Sequence, residues 1–147
     1  KEGFFPLDEI VDLSKDKRFR DIKRNILLVP IKEGKKITPN SVMFEQSKFE
    51  LVSQSLPDLD RIAEMMLKYT TMEILIEGHT DNQGDFNLNM ELSENRVKEV
   101  KKYLVSKGIP ENRLQVKGWG STKPIASNEI EETRKKNRRV EFTILKV

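Results

Sequence analysis

The stretch that decides the fold is Gly78–Arg96, GHTDNQGDFNLNMELSENR. It begins where an apolar strand ends, passes through a turn cluster at Asn82–Asp85, and continues into an amphipathic helix. The carboxylate of Asp81 therefore falls just past a strand, and the guanidinium of Arg96 falls on the following helix. An Arg and an Asp on neighbouring elements can face each other across a cleft and hold the carboxylate and the ammonium of a zwitterionic ligand.

Each of these two residues also has an ordinary structural interpretation. Asp81 alone is typical of a turn or helix cap, and Arg96 could belong to a solvated helix face. However, Arg96 lies four residues after Leu92, on the stripe that faces the core. A buried charge needs a partner, and we expect Asp81 to be available as that partner.

The elements around this stretch alternate between strand and helix. Met72–Glu77 has apolar residues on both faces, which predicts a central strand, and Leu114–Lys117 and Val140–Ile144 predict two more. Gly108 is expected to cap the second helix in a left-handed conformation, and 129–136 favours a short polar helix. The two main helices are predicted to bury apolar stripes, namely Leu59, Ile62, Ala63, Met66 and Leu67 in the first and Leu88, Leu92, Val97, Val100 and Leu104 in the second.

The N-terminal residues have a different character. Residues 1–40 are predicted to be an arm or linker with one strand at 25–31, and a turn at 32–36. A further short strand is predicted at 41–44, where the domain of residues 41–147 begins. Because the chain starts at Lys1, we expect it to be a piece of a longer protein. The order strand, helix, strand, helix, strand, strand favours an α+β fold in two layers, with helices on one face of the sheet.

Composition narrows the function classes. The chain has 147 residues, of which 36% are hydrophobic and 35% charged, with no cysteine and a formal net charge of +3. No apolar run approaches the roughly 20 residues that a membrane-spanning helix needs. With one histidine and no cysteine, the chain has a poor ligand set for zinc, so no metal site is predicted. The excess of positive charge is too small to indicate nucleic-acid binding without a recognised motif.

Two other features have competing interpretations. His79 could be a general base or a metal ligand, but we expect it to make a structural hydrogen bond to backbone at the strand end. The basic run Lys135–Arg139 is by default a solvated face, and its functional alternative is a grip on an anionic polymer.

Several segments together resemble the OmpA-like C-terminal domain, which occurs in outer-membrane proteins, peptidoglycan-associated lipoproteins and flagellar stator proteins. The similarity covers about residues 40–146. It rests on Gly78-His79-Thr80-Asp81, Asn89, Leu92-Ser93-x-x-Arg96, Gly108-Ile109, Arg113-Leu114, Gly118-x-Gly120, Lys123-Pro124-Ile125-Ala126, Asn128 and Asn137-Arg138-Arg139-Val140-Glu141.

This resemblance implies a two-layer βαβαββ fold with helices on one face of a mixed sheet. It also implies non-covalent binding of peptidoglycan in the periplasm, attached to the outer membrane of a Gram-negative bacterium through parts of the protein outside this chain. It implies neither catalytic residues nor a cofactor. The residues that match the family's contacts to meso-diaminopimelate are Asp81 and Arg96 for its zwitterionic end, with Thr80, Asn89 and Leu92 beside them, and Ser47 where the family often has Asp or Asn.

Two rival functions remain open from the residues themselves. A peptidoglycan hydrolase would need two acidic residues about 5 to 10 Å apart, for which Glu77 and Asp81 are the candidates. A nucleic-acid or polyanion binder would use Lys135–Arg139, although this run lacks interleaved aromatic residues.

Overall fold

The computed structural model describes residues 3–5, 30–39, 44 and 48–147. The elements, in chain order, are β1 (Lys36–Ile37), α1 (Leu56–Lys68), β2 (Glu73–His79), α2 (Phe86–Ser106), β3 (Leu114–Gly120), α3 (Glu131–Arg134) and β4 (Arg139–Lys146). The predicted α+β fold is confirmed, and so is the order helix, strand, helix, strand, strand for the main elements from α1 onward. Most of the strands predicted at 25–31 and 41–44 lies outside the described residues, and of their described residues Pro30 and Phe44 form isolated β-bridges with Phe4 and Leu51.

The four described strands form one mixed sheet in the order β1-β4-β2-β3. Strands β2 and β3 are parallel and are joined by the long helix α2, whereas β4 runs antiparallel to both β2 and β1. Strand β2 is therefore central, as its apolar residues on both faces predicted. Strand β1 begins at Lys36, although the sequence predicted a turn up to this residue. The turn is present just before the strand, at Gly34, whose φ is +76°.

The core lies between the helices and one face of the sheet. Ile74 and Ile76 of β2 and Phe142 of β4 point to this face and are at most 1% exposed. They pack with the apolar stripes of both helices, which places α1 and α2 in a single layer. On the other sheet face the side chains are mostly polar, because alternate residues of a strand point to opposite faces.

Helix α2 lies unusually close to the two strands that it connects. A Cβ atom at Gly78 of β2 would lie 2.7 Å from the carbonyl oxygen of Ser93, and one at Gly118 of β3 would lie 2.7 Å from the backbone nitrogen of Glu94. The fully buried Ser93 reinforces this contact, since its Oγ accepts a hydrogen bond from the backbone N–H of Gly120 over 2.9 Å. The two glycines thus set the distance between α2 and the sheet.

The ends of α2 have clear chemical causes. The side chain of Asp85 accepts hydrogen bonds from the backbone N–H groups of Asn87 and Leu88, which satisfies two donors of the first turn. At the other end, Gly108 has φ of +93°, so the predicted left-handed conformation is confirmed.

Two predicted core residues are exposed instead. Leu67 is 50% exposed and Leu88 is 65% exposed, so their assignment to the buried stripes was wrong. In α1, Met65 is buried in place of Leu67. In α2, the buried stripe begins at Asn89, and its first half is polar because it faces the end of β2 instead of the core. Within the described ranges, no helix has both the length and the apolar character required to cross a membrane.

A methyl group at Gly118 should destabilise the fold. Gly118→Ala forces helix α2 away from β3, and overpacking of this kind costs about 1–3 kcal/mol. Urea unfolding monitored by circular dichroism measures the loss. As a control, Gln115→Ala on the exposed face of the same strand should change the free energy of unfolding by no more than about 0.5 kcal/mol. Equal stability of Gly118→Ala and the wild type would show that the close approach is not a constraint.

Candidate functional site

A cavity of about 1020 Å³ opens at the end of β2, where the chain leaves the sheet toward α2. Its walls come from the segment after β1, from the turn and first half of α2, and from the loop and short helix before β4. Five of the six predicted site residues line it, and the sixth, Ser47, lies outside the described residues. The five are Thr80, Asp81, Asn89, Leu92 and Arg96.

The lining of the cavity is rich in positive charge. Two carboxylates, Asp81 and Glu131, face a larger number of basic side chains among the described residues. The basic side chains are Arg96, Arg134, Lys135, Lys136, Arg138 and Arg139. Such a lining favours a ligand that carries negative charge.

Asp81 is held in place from both sides. It is 8% exposed, and its Oδ1 accepts a hydrogen bond from the backbone N–H of Gln83 over 3.0 Å. Its Oδ2 lies 2.7 Å from Nη1 of Arg138, with which it forms an ion pair. Asp81 thus acts as the turn cap that its residue type indicates, and it also presents a charged carboxylate to the cavity.

Arg96 is buried deeply for a guanidinium, at 5% exposure. Its Nε donates to the backbone carbonyl of Lys48 over 3.0 Å, and its Cζ lies 4.8 Å from the ring centroid of Phe44. Burial is the main cause that lowers the pKa of Arg96 to about 10, the nearby charge of Arg138 adds to the effect, and Asp81 opposes it. Arg96 remains protonated at neutral pH.

The expected direct pairing of Arg96 with Asp81 is wrong, although both residues line the same cavity. Arg138 occupies the Asp81 carboxylate instead, and Arg96 has the carbonyl of Lys48 and the Phe44 ring as neighbours. The sequence places Arg138 in the basic run and in a segment that matches the family, but its pairing with Asp81 was not predicted, because the two residues are 57 positions apart.

Asn89 and Thr80 shape the turn that carries Asp81. The Nδ2 of Asn89 donates to the carbonyl of Gln83 over 2.8 Å, which ties the turn to the first part of α2. The backbone N–H of Thr80 donates to the carbonyl of Gly120, and its Oγ1 donates to the carbonyl of Asp81. These bonds fix the position of the Asp81 carboxylate relative to the helix.

The basic run Lys135–Arg139 is not a uniformly solvated face. Asn137 is fully buried and accepts hydrogen bonds from the backbone N–H groups of Ile125 and Ala126, so it holds the loop before α3. Arg139 pairs with Glu141 over 2.7 Å. Lys135 and Lys136 remain exposed, and they lie at the cavity.

Two buried carboxylates on the outer sheet face, Glu77 and Glu141, belong to a separate network. Glu77 accepts hydrogen bonds from Nε1 of Trp119 and from Oγ1 of Thr143, and Lys36 lies between Glu77 and Glu141. Burial alone raises the pKa of Glu77, but these hydrogen bonds and the Lys36 charge outweigh it, so its pKa lies below the usual value. Glu77 is therefore a poor general acid.

His79 does not make the hydrogen bond that we expected. It is 2% exposed, and within the described part of the chain neither ring nitrogen has a hydrogen-bond partner. Strand β2 is paired on both sides, so the backbone groups nearest to His79 are already engaged in the sheet. Burial is the main cause that lowers the pKa of His79 to about 4, and the charge of Arg139 acts in the same direction. No group of three or more His, Asp or Glu side chains in the described ranges is placed to hold a metal ion.

The low pKa of His79 predicts a pH-dependent stability. The unfolded chain takes up a proton as the pH falls through about 6.5, whereas the folded protein stays neutral at His79 until about pH 4. Acidification in that window therefore favours unfolding. Relative to His79→Gln, which cannot titrate, the wild type should lose roughly 2 kcal/mol between pH 7 and pH 5. Urea unfolding of both proteins at pH 7 and pH 5 measures this loss. If the difference in unfolding free energy between the wild type and His79→Gln is the same at both pH values, the burial of a neutral imidazole is contradicted.

Comparison with known proteins agrees with this architecture. The model of the OmpA family matches residues 43–138. Outer membrane protein A of Bordetella avium is 42% identical over 102 residues, which cover 69% of this chain and 53% of that protein. The peptidoglycan-associated lipoprotein of Buchnera aphidicola subsp. Baizongia pistaciae is 34% identical over 100 residues, which cover 68% of this chain and 58% of that protein. The chain thus spans little more than half the length of each of these two relatives.

Among solved structures, the periplasmic domain of Helicobacter pylori MotB superposes with a TM-score of 0.69 and 30% sequence identity. The match covers 81% of both chains. The family match spans strands β2 and β3 and both main helices. It also includes every described residue of the cavity except those before residue 43 and Arg139. The chain belongs to the OmpA family.

Proposed function

We propose that this domain binds peptidoglycan non-covalently, through the zwitterionic end of meso-diaminopimelate in the stem peptide. The observation that carries the proposal is the presence of buried Asp81 and Arg96 in one positively charged cavity. The family adds support, because one relative is named a peptidoglycan-associated lipoprotein.

The chemistry of the ligand matches the chemistry of the two side chains. The distal centre of diaminopimelate carries an ammonium and a carboxylate on one carbon atom. Asp81 offers a carboxylate for the ammonium, and Arg96 offers a guanidinium for the carboxylate. Because both protein groups are largely removed from water, each charged contact is stronger than it would be on the surface.

The neighbouring residues have supporting roles in this proposal. Thr80 and Asn89 hold the turn that positions Asp81, and Leu92 gives the cavity an apolar wall for the methylene groups of the ligand. Ser47 remains a proposed contact by family resemblance alone.

We propose a binding module and not an enzyme. A hydrolase would need Glu77 beside Asp81 as a second acid, but Glu77 is bonded to Trp119 and Thr143 in the network of the outer sheet face. Its lowered pKa is the opposite of what a general acid requires. Release of soluble muropeptides from purified sacculi would favour the hydrolase instead.

A general polyanion binder is also less well supported. Such a protein would present the run Lys135–Arg139 to its partner, whereas Asn137, Arg138 and Arg139 are engaged in contacts within the domain. Only the two lysines of the run are left for a diffuse electrostatic surface, and affinity from such a surface would fall steeply with salt.

The location and the domain boundary are proposals as well. We propose that the domain of residues 41–147 acts in the periplasm of a Gram-negative bacterium, and that parts of the protein outside this chain attach it to the outer membrane. The names of the two relatives, an outer membrane protein and a lipoprotein, support this placement. The preceding arm contributes the edge strand β1 to the sheet.

The paired roles of Asp81 and Arg96 predict that each is needed. Asp81→Ala and Arg96→Ala should both abolish co-sedimentation with purified sacculi, since loss of one partner of a desolvated charge pair costs about 2–5 kcal/mol. Circular dichroism should show that both variants are folded. Control variants Lys98→Ala and Glu132→Ala, at exposed positions, should sediment like the wild type. Wild-type sedimentation of either cavity variant would rule out the proposed contacts.

The ligand itself offers an independent test. A stem peptide with lysine in place of diaminopimelate keeps the ammonium but lacks the carboxylate that Arg96 would bind. Calorimetric titration should therefore give an affinity that is weaker by about 2 kcal/mol, or about thirtyfold. If the two stem peptides bind with equal affinity and both affinities fall as salt is raised, binding is due to a basic surface and not to the pair Asp81 and Arg96.

A further inference from the structure

The Asp81 carboxylate has a partner within the domain at each of its two oxygens. Its Oδ1 accepts the backbone N–H of Gln83, and its Oδ2 pairs with Nη1 of Arg138 over 2.7 Å. The Nη2 of Arg138 is bonded to Oε1 of Glu131, so this guanidinium is held between two carboxylates. An ammonium that binds Oδ2 of Asp81 meets the positive charge of Arg138 at the same oxygen.

Displacing Arg138 changes the balance of charge in the cavity. Its guanidinium would lose one of two anionic partners while it remains close to Arg96, whose pKa it already lowers by repulsion. Its remaining partner Glu131 also pairs with Arg134, and the side chain of Glu131 is 53% exposed. The cavity would then hold two guanidinium groups with reduced compensation, which is unfavourable in a partly desolvated site.

We propose that Arg138 is a specificity-determining residue. It disfavours a ligand that brings only an ammonium to Asp81, and it favours a ligand that brings an ammonium together with a carboxylate. This inference rests on the proposed function and deepens it. A zwitterion supplies an ammonium for Asp81 and a carboxylate that compensates the two guanidinium groups. A simple amine supplies only the ammonium and adds a further positive charge.

The selectivity in this account comes from competition as well as from attraction. Arg96 alone would favour a ligand with a carboxylate, but it would not penalise an amine at Asp81. Arg138 adds that penalty, because its charge repels an amine at Asp81 and its ion pair with Oδ2 is weakened when an ammonium takes that oxygen. Discrimination between two ligands commonly combines a favourable contact for one with an unfavourable element against the other.

Arg134 provides a matched control for this role. It belongs to the same segment, lines the same cavity and pairs with the same Glu131, through Nη2 over 2.8 Å. Among the described residues, the ion pair of Asp81 is with Arg138 and not with Arg134. Arg134→Gln therefore removes one positive charge from the cavity without releasing Asp81.

The experiment is a calorimetric titration of the wild type, Arg138→Gln and Arg134→Gln with diaminopimelate-type and lysine-type muropeptides at low salt. In Arg138→Gln we expect the affinity for the lysine-type muropeptide to rise about tenfold and that for the diaminopimelate type to change less than threefold. The preference for the diaminopimelate-type over the lysine-type muropeptide, expressed as the ratio of the two affinities, should thus fall about tenfold in Arg138→Gln, whereas Arg134→Gln should keep the wild-type preference. If Arg138→Gln does not fold, as judged by circular dichroism, Arg138→Met has the same expected result.

Each other outcome is informative. A ratio that is unchanged or wider in the Arg138 variant would overturn the inference, and so would a narrowing of equal size in Arg134→Gln, which would assign the effect to overall charge. If the wild type binds the diaminopimelate-type muropeptide but the ratio does not narrow, only this inference fails. If the wild type binds neither muropeptide, the proposed function fails, and the role of Arg138 fails with it.

Discussion

The close packing of α2 against β2 and β3 is the contact on which the rest of the structure depends. At Gly78 and Gly118 any side chain would collide with backbone atoms of the helix, so the helix can approach only because these two positions carry none. The hydroxyl of Ser93 uses this short distance to bond the backbone N–H of Gly120. As a result, the polar first half of α2 packs against the C-terminal end of β2. Without this approach, Arg96 and Asp81 would not line one cavity.

The cavity shows how a small domain can keep several charges out of water. Asp81 shares its carboxylate between the backbone of its own turn and Arg138, while Arg96 uses a backbone carbonyl and an aromatic ring. The outer sheet face solves the same problem separately, with Glu77 and Glu141 compensated by Lys36 and by neighbouring donors. The carboxylate of Asp81 therefore faces the cavity, whereas those of Glu77 and Glu141 stabilise the sheet.

Local sequence patterns were sufficient to predict the main elements and to identify Asp81 and Arg96, whereas Thr80, Asn89 and Leu92 were implied by the family resemblance. No pattern predicted the ion pair inside the cavity. The alternation of apolar residues in β2 and β4 and the glycine that ends α2 predicted these elements correctly, because such patterns depend on near neighbours. Leu88 was placed wrongly because the buried face of α2 is polar where it meets the site, so hydrophobicity is no guide there. The pairing of Arg138 with Asp81 joins residues that are 57 positions apart, and only the folded topology brings them together. Among the described residues, the ring nitrogens of His79 have no hydrogen-bond partner, and the backbone around it is engaged on both sides of β2, which no local pattern reveals.

The central claim is that one ligand centre is bound by Asp81 and Arg96 together. A crystal structure of the domain with a diaminopimelate-containing muropeptide tests it most directly. The account predicts the distal ammonium within about 3 Å of an Asp81 carboxylate oxygen, the adjacent carboxylate at the Arg96 guanidinium, and Arg138 moved away from Asp81. A muropeptide bound along Lys135 and Lys136, with the ion pair of Arg138 and Asp81 intact, would contradict it.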